Sequence, residues 1–240
     1  MLLLMDTALL VHGFAGTGAS WDQLVEYLDR QRYRPLAADL RGHGQNDSRR
    51  PITFEDCIAD LLSAAPERFT LVGYSLGGRL ALQLALAAPQ RLERLVLIST
   101  SAGIDNEAER EVRLNSDLAL ADDLEQGSIQ GFADSWLAAP LFADDPPQVQ
   151  LAARTEIEKN NPSDLACALR GLSVGRMTPL WSRLSELSVP TTVIAGDRDR
   201  AYVKQAERLQ SSITGSELKL VEGAGHALPR SAPAELAALL

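Results

Sequence analysis

The sequence predicts an α/β protein: a mostly parallel sheet with helices on both faces and a helical cap inserted into it. Three observations carry this. Short apolar runs alternate with helix-period segments over residues 1–102, so successive strands must run parallel and bury both faces. From residue 103 to residue 185 the pattern is helical throughout, which reads as an inserted cap. Alternation then resumes over 186–240, returning the chain to the same core.

The first strand covers residues 7–11 and ends in His12-Gly13-Phe14-Ala15-Gly16. Ser20 is placed to cap a helix whose Trp21, Leu24, Val25 and Leu28 follow the i, i+3, i+4, i+7 spacing. A strand over 35–39 leads to the turn Arg41-Gly42-His43-Gly44, and Thr53 opens a helix with Phe54, Cys57, Ile58, Leu61 and Leu62 on one face. Residues 69–72 form the next strand and residues 80–88 the helix after it, followed by a strand over 95–98. In the insertion, Leu114, Leu118, Phe132, Trp136 and Leu141 are apolar positions. Asp144-Asp145-Pro146-Pro147 and Asn160-Asn161-Pro162 break the helices. Strands over 191–195 and 218–221 flank a helix over 201–209, and a short helix starts at Ala232.

Between the strand at 69–72 and its helix lies Gly73-Tyr74-Ser75-Leu76-Gly77, a G-x-S-x-G sequence in the strand–turn–helix context that a nucleophile elbow requires. A serine hydroxyl reacts only when a neighbour takes its proton. Of the three histidines, His226 is the candidate, directly after the last strand in Gly225-His226. Gly196-Asp197-Arg198-Asp199 follows the preceding strand, with Asp199 the candidate orienting acid and a share for Asp197 left open. The order Ser75, Asp199, His226 is that of an α/β-hydrolase triad. The N–H groups of Leu76 and Phe14 are placed to form an oxyanion hole, which serves a tetrahedral intermediate or an enolate equally well. His43 reads as a turn histidine bonded to backbone, and His12 as a residue that shapes the Phe14 loop.

A net charge of −9 over 240 residues argues against nucleic acid or an anionic membrane as partner, so an acidic substrate needs a local basic pocket. Cys57 and Cys167 lie far apart and read as core thiols in a reducing cytoplasm. No histidine–carboxylate cluster has metal-ligand spacing, so no metal site is expected. Residues 1–5 are too short an apolar run for a signal segment and leave no room for a further amino-terminal hairpin; no run approaches a membrane span. A cytoplasmic monomer or small homo-oligomer is expected.

Taken together these residues resemble the α/β-hydrolase superfamily. More narrowly, the chain is similar to the 2-succinyl-6-hydroxy-2,4-cyclohexadiene-1-carboxylate synthase family, lyases of menaquinone and phylloquinone biosynthesis. The matching stretches are His12-Gly13-Phe14, Gly73 through Arg79, Gly196-Asp197-Arg198-Asp199 and Gly225-His226, with Trp136, Pro140-Leu141-Phe142, Asn160-Asn161-Pro162 and Leu169-Arg170-Gly171 in the cap. The resemblance implies a substrate with three carboxylates from which pyruvate is eliminated without water or cofactor. It implies that Arg79 and Arg113 hold carboxylates, that Trp136 walls the pocket and that Tyr74 reaches it. The family commonly has a further arginine shortly before the Asn-Asn motif; here Arg154 or Lys159 would have to serve. A serine esterase or carbon–carbon bond hydrolase with the same triad, and a non-catalytic ligand binder of the same fold, are the alternatives.

Overall fold

The computed structural model describes residues 5–46 and 48–240. Among them six strands form one sheet: β1 (Asp6–Val11), β2 (Tyr33–Ala38), β3 (Phe69–Tyr74), β4 (Leu92–Ile98), β5 (Thr191–Gly196) and β6 (Glu217–Val221). Their spatial order is β2-β1-β3-β4-β5-β6, and every neighbouring pair is parallel. The expectation of a mostly parallel sheet is thus met by a wholly parallel one over the described residues. Strands β3 and β5, each flanked on both sides by another strand, are buried along their whole length, which is why they read as unbroken apolar runs. The order reverses between β1 and β3, so a crevice opens there at the carboxyl ends of the strands.

Alternate residues of each strand feed different cores. Leu9 and Val11 of β1 join one apolar cluster with α2 (Phe54–Ala64), α3 (Leu76–Ala87) and α8 (Arg200–Ser212). Ala8 and Leu10 join another, with α1 (Asp22–Tyr27), α9 (Leu228–Ser231) and α10 (Pro233–Ala238). Thr53 caps α2, its side chain accepting from the Asp56 N–H. The expected cap at Ser20 is corrected: Thr17 caps a 3-10 turn over Gly18–Trp21 that precedes α1, and Ser20 is the third residue of that capping box. The helical segment begins one turn earlier because the Thr17 side chain accepts from the Ala19 N–H. At the carboxyl end, Ala232 is the junction between α9 and α10 rather than the first helical residue.

Between β4 and β5 the chain forms α4 (Glu107–Gln126), α5 (Ile129–Leu137), α6 (Pro147–Ile157) and α7 (Pro162–Leu172). Their apolar faces build a third cluster that includes Ala121, Leu124, Phe132, Leu165 and Leu169. The two proline motifs break one helix by starting the next: Pro147 and Pro162 are first-turn residues, and Asn161 caps α7. Past α7, Met177, Leu180 and Leu184 pack within the sheet's first cluster. Cys57 is buried and Cys167 half-buried, and neither is in a disulfide. Among the described residues no helix is long and apolar enough to cross a membrane.

Candidate active site

Ser75 stands between β3 and α3 with φ 52° and ψ −109°, a conformation costly for a residue with a Cβ. The surroundings impose it. The Ser75 N–H donates to the Ile98 carbonyl at 2.9 Å, and the Thr100 hydroxyl donates to the Ser75 carbonyl at 2.7 Å. Gly77 lets α3 lie against β1, since a Cβ there would collide with the Val11 carbonyl.

His226 is carried by the loop after β6, and Asp199 by the loop after β5. The His226 Nδ1 lies 2.6 Å from the Asp199 Oδ2, and its Nε2 lies 3.3 Å from the Ser75 Oγ. All three expected residues therefore meet. The open question about Asp197 closes here: its carboxylate accepts from the Gly223 N–H at 2.8 Å and shapes the neighbouring turn instead. The imidazole is buried, with the rings of Tyr202, Tyr74 and Phe142 at 4.5, 5.4 and 5.9 Å fixing its plane.

Leu76 is the first residue of α3, so its N–H is one of the unpaired donors of a helix start. With Phe14 it lines the cavity in front of Ser75. The Phe14 loop rests on two buried histidines. His12 Nδ1 donates to the Gly13 carbonyl at 2.7 Å while Nε2 accepts from the Leu40 N–H at 3.0 Å, which requires the neutral ring. His43 bonds the Arg41 carbonyl at 3.1 Å and packs edge-on against Phe14. Burial, then the adjacent His12, pull the His43 pKa down to about 3, so it is uncharged and structural at ordinary pH.

The cavity holds about 620 Å³ of empty space with its open mouth included. Arg79, Arg113, Tyr74, Trp136 and Tyr202 all line it with Ser75 and His226. Arg79 is only 7% exposed, and its Nε has no hydrogen-bond partner among the described residues. Burial lowers its pKa, the mark of a charge held in a poorly solvated place. Arg113 donates through Nε to Asp117 at 2.8 Å, and Asp117 in turn accepts from the Ser173 hydroxyl at 2.7 Å. Trp136 stacks on Phe132, with ring centroids 5.6 Å apart.

Neither candidate for a third cationic contact reaches this cavity. Arg154 pairs with Asp134 and Glu158 at the surface, and Lys159 is exposed. Helix phase is the reason: α6 turns Val149, Glu156 and Ile157 inward, which sends Arg154 outward. Glu156, unmarked in the sequence, proves central. Its carboxylate accepts from the N–H and hydroxyl of Thr17 and the hydroxyl of Ser20, and it pairs with Arg230. One cap residue thus ties the Phe14 loop to the segment after His226. Burial disfavours its charge, but Arg230 and these donors outweigh burial and lower its pKa.

A serine aligned with an imidazole and a carboxylate, at the start of a buried helix, is the site of an α/β-hydrolase-type enzyme. The chain belongs to the alpha/beta hydrolase family, whose profile matches residues 8–239. It is 30% identical over 234 residues to 2-succinyl-6-hydroxy-2,4-cyclohexadiene-1-carboxylate synthase of Yersinia pestis (strain Pestoides F), covering 95% of this chain and 83% of that one. Among solved structures, MenH from S. aureus superposes with a TM-score of 0.92 at 30% identity, covering 99% of this chain and 92% of that one. The enol-lactonase from Burkholderia xenovorans LB400 shares the fold at a TM-score of 0.83 and 22% identity, with 99% of this chain and 90% of that one covered.

Proposed function

We propose that this protein is a carbon–oxygen lyase of menaquinone or phylloquinone biosynthesis. It converts 2-succinyl-5-enolpyruvyl-6-hydroxy-3-cyclohexene-1-carboxylate to 2-succinyl-6-hydroxy-2,4-cyclohexadiene-1-carboxylate and pyruvate. The observation that carries the reading is a pair of arginines, one of them with an unpartnered Nε, lining the Ser75–His226 cavity of a protein whose net charge is −9. Even with Asp117 paired to Arg113 in the same lining, the cavity keeps a positive excess, which favours an anionic substrate. Guanidinium groups bind carboxylates with directed, charge-assisted bonds.

In this reading His226, oriented by Asp199, takes the Ser75 proton as the seryl oxygen takes the ring C2 proton, α to the succinyl ketone. The released pair forms the C2=C3 bond, the former C3=C4 pair moves to C4=C5, and the C5–O bond breaks. The departing enolate of pyruvate recovers a proton through His226. The Phe14 and Leu76 N–H groups hold the negative charge on the ketone oxygen while it exists; one such donor contributes about 3 kcal/mol to barrier lowering. Arg79 and Arg113 hold carboxylates, Trp136 and Tyr74 wall the reacting ring, and no covalent intermediate or cofactor takes part. In this reading the reaction belongs to the cytoplasm, in keeping with two cysteines that form no disulfide.

Incubation with the enolpyruvyl substrate tests this. Pyruvate and the absorbance of the conjugated diene should rise together. Fluorophosphonate labelling of Ser75 with ester turnover, and no pyruvate, would assign the site to a serine hydrolase instead.

A further inference from the structure

Tyr202 belongs to the site, although nothing in its sequence surroundings marks it. It stands in the first turn of α8, where its N–H donates to the Asp199 Oδ1 at 3.3 Å, so the orienting acid fixes its backbone. Its ring lies 4.5 Å from the His226 ring, inclined by 46°. Its side chain lines the same cavity as Arg79, Ser75 and His226. A guanidinium can only donate and a phenol can donate as well, so the two suit one anionic acceptor. The Arg79 Nε is unpartnered among the described residues. The buried Arg79 and the half-buried Tyr202 thus face one cavity, and the unreceived Arg79 donor carries a cost that an entering acceptor would relieve.

We infer that Tyr202 is a further substrate-binding residue, its hydroxyl donating to the same carboxylate that Arg79 binds. A neutral donor suits the place better than a second cation, which would repel Arg79, or an acid, which would neutralise it. The phenol adds a bond to the substrate acid without changing the charge of the cavity. The assignment of the substrate as a polycarboxylate rests on the proposed lyase function.

Tyr202→Phe removes the hydroxyl and keeps the ring against His226. Steady-state pyruvate release should show KM raised about tenfold, the effect of one hydrogen bond to a charged group, with kcat falling less than threefold. Calorimetric titration with tricarballylate, a plain tricarboxylate, reads acid binding without turnover and keeps the result independent of the reaction. Its affinity should fall about tenfold in Tyr202→Phe and should fall no further when that change is added to Arg79→Met, since both groups serve one acid. A KM and a tricarballylate affinity within twofold of wild type in Tyr202→Phe would overturn the inference. So would additive losses in the double variant, or a wild-type protein that does not bind tricarballylate. Absence of pyruvate with tricarballylate binding intact and sensitive to Tyr202 would instead remove the lyase function and leave the acid site standing.

Discussion

Asp199 uses its two carboxylate oxygens for different tasks: Oδ2 lies 2.6 Å from His226 Nδ1, while Oδ1 accepts the Tyr202 N–H as the cap of α8. The side chain that orients the catalytic imidazole also starts the helix carrying Tyr202. Asn is as good a cap as Asp, but its amide cannot stabilise a charged imidazolium. Asp199→Asn should therefore lower kcat by roughly 10²–10⁴-fold with the thermal midpoint nearly unchanged. Asp199→Ala should lose activity similarly and in addition about 1 kcal/mol of stability, measured by denaturant unfolding. Equal stability of the two variants would show that the cap contributes nothing.

The elbow conformation gives a second expectation. Ser75 at φ 52° and ψ −109° occupies a region where glycine is at ease and alanine is not. Both Ser75→Ala and Ser75→Gly should abolish most activity. Ser75→Gly should nevertheless be more stable than Ser75→Ala, by about 1 kcal/mol, because only glycine relieves the strain. The reverse order in denaturant midpoints would mean that the strain is not borne by this residue.

Arg79 sets function against stability. Its buried charge lacks a full set of partners, and burial lowers its pKa. Arg79→Met keeps much of the volume and removes the charge. Its thermal midpoint should equal or exceed that of wild type, while KM for the substrate rises by about 10²-fold or more, the loss of a charge-assisted pair. A clear fall in the midpoint would mean that Arg79 is a structural group.

How much of this was legible in the sequence depends on how local each signal is. Ser75 was readable because the elbow is set within five residues and its two flanks. Asp199 and His226 followed from strand order. Arg79 stood out as a cation at the start of a buried helix. The Ser20–Glu156 and Ser20–Arg230 contacts, by contrast, join residues 136 and 210 positions apart, and no short pattern encodes such pairs. The choice of Arg154 or Lys159 failed for a different reason. Proximity to the Asn-Asn motif suggested them, whereas the inward face of α6 runs through Val149, Glu156 and Ile157. Tyr202 was hidden because a tyrosine in the first turn of a surface helix looks ordinary.

The Glu156–Arg230 pair should show the asymmetry of buried charges. Arg230→Met leaves the Glu156 carboxylate among only the Thr17 and Ser20 donors and should cost about 3–5 kcal/mol. Adding Glu156→Gln to it should recover much of that stability, since an amide needs no counter-charge. Because these groups brace the Phe14 loop, each single variant should also lower kcat more than it changes KM. Equal destabilisation of the double variant and Arg230→Met would show that the carboxylate, once alone, carries no penalty.

Asp145 provides a pH-dependent test of cap packing. It is buried at the end of the cap loop before α6, close to His226 and Arg230, and its Oδ1 has no hydrogen-bond partner among the described residues. Burial pushes its pKa up to about 6, against the opposing pull of His226, the Ala227 N–H and Arg230, with Asp199 adding to the rise. The folded protein thus holds a proton on Asp145 over a range, from about pH 4 to 6, where the unfolded chain has released it. Stability from this group is present below that range and lost as pH rises through it. Asp145→Asn carries no charge at any pH and escapes the loss. The thermal midpoint of Asp145→Asn minus that of wild type should therefore be near zero at pH 4 and rise by roughly 6–12 °C by pH 7. His43, whose depressed pKa destabilises the fold on acidification, acts in both proteins and cancels in the difference. A difference that stays flat across this range would mean that Asp145 ionises as readily in the folded protein as in the unfolded chain.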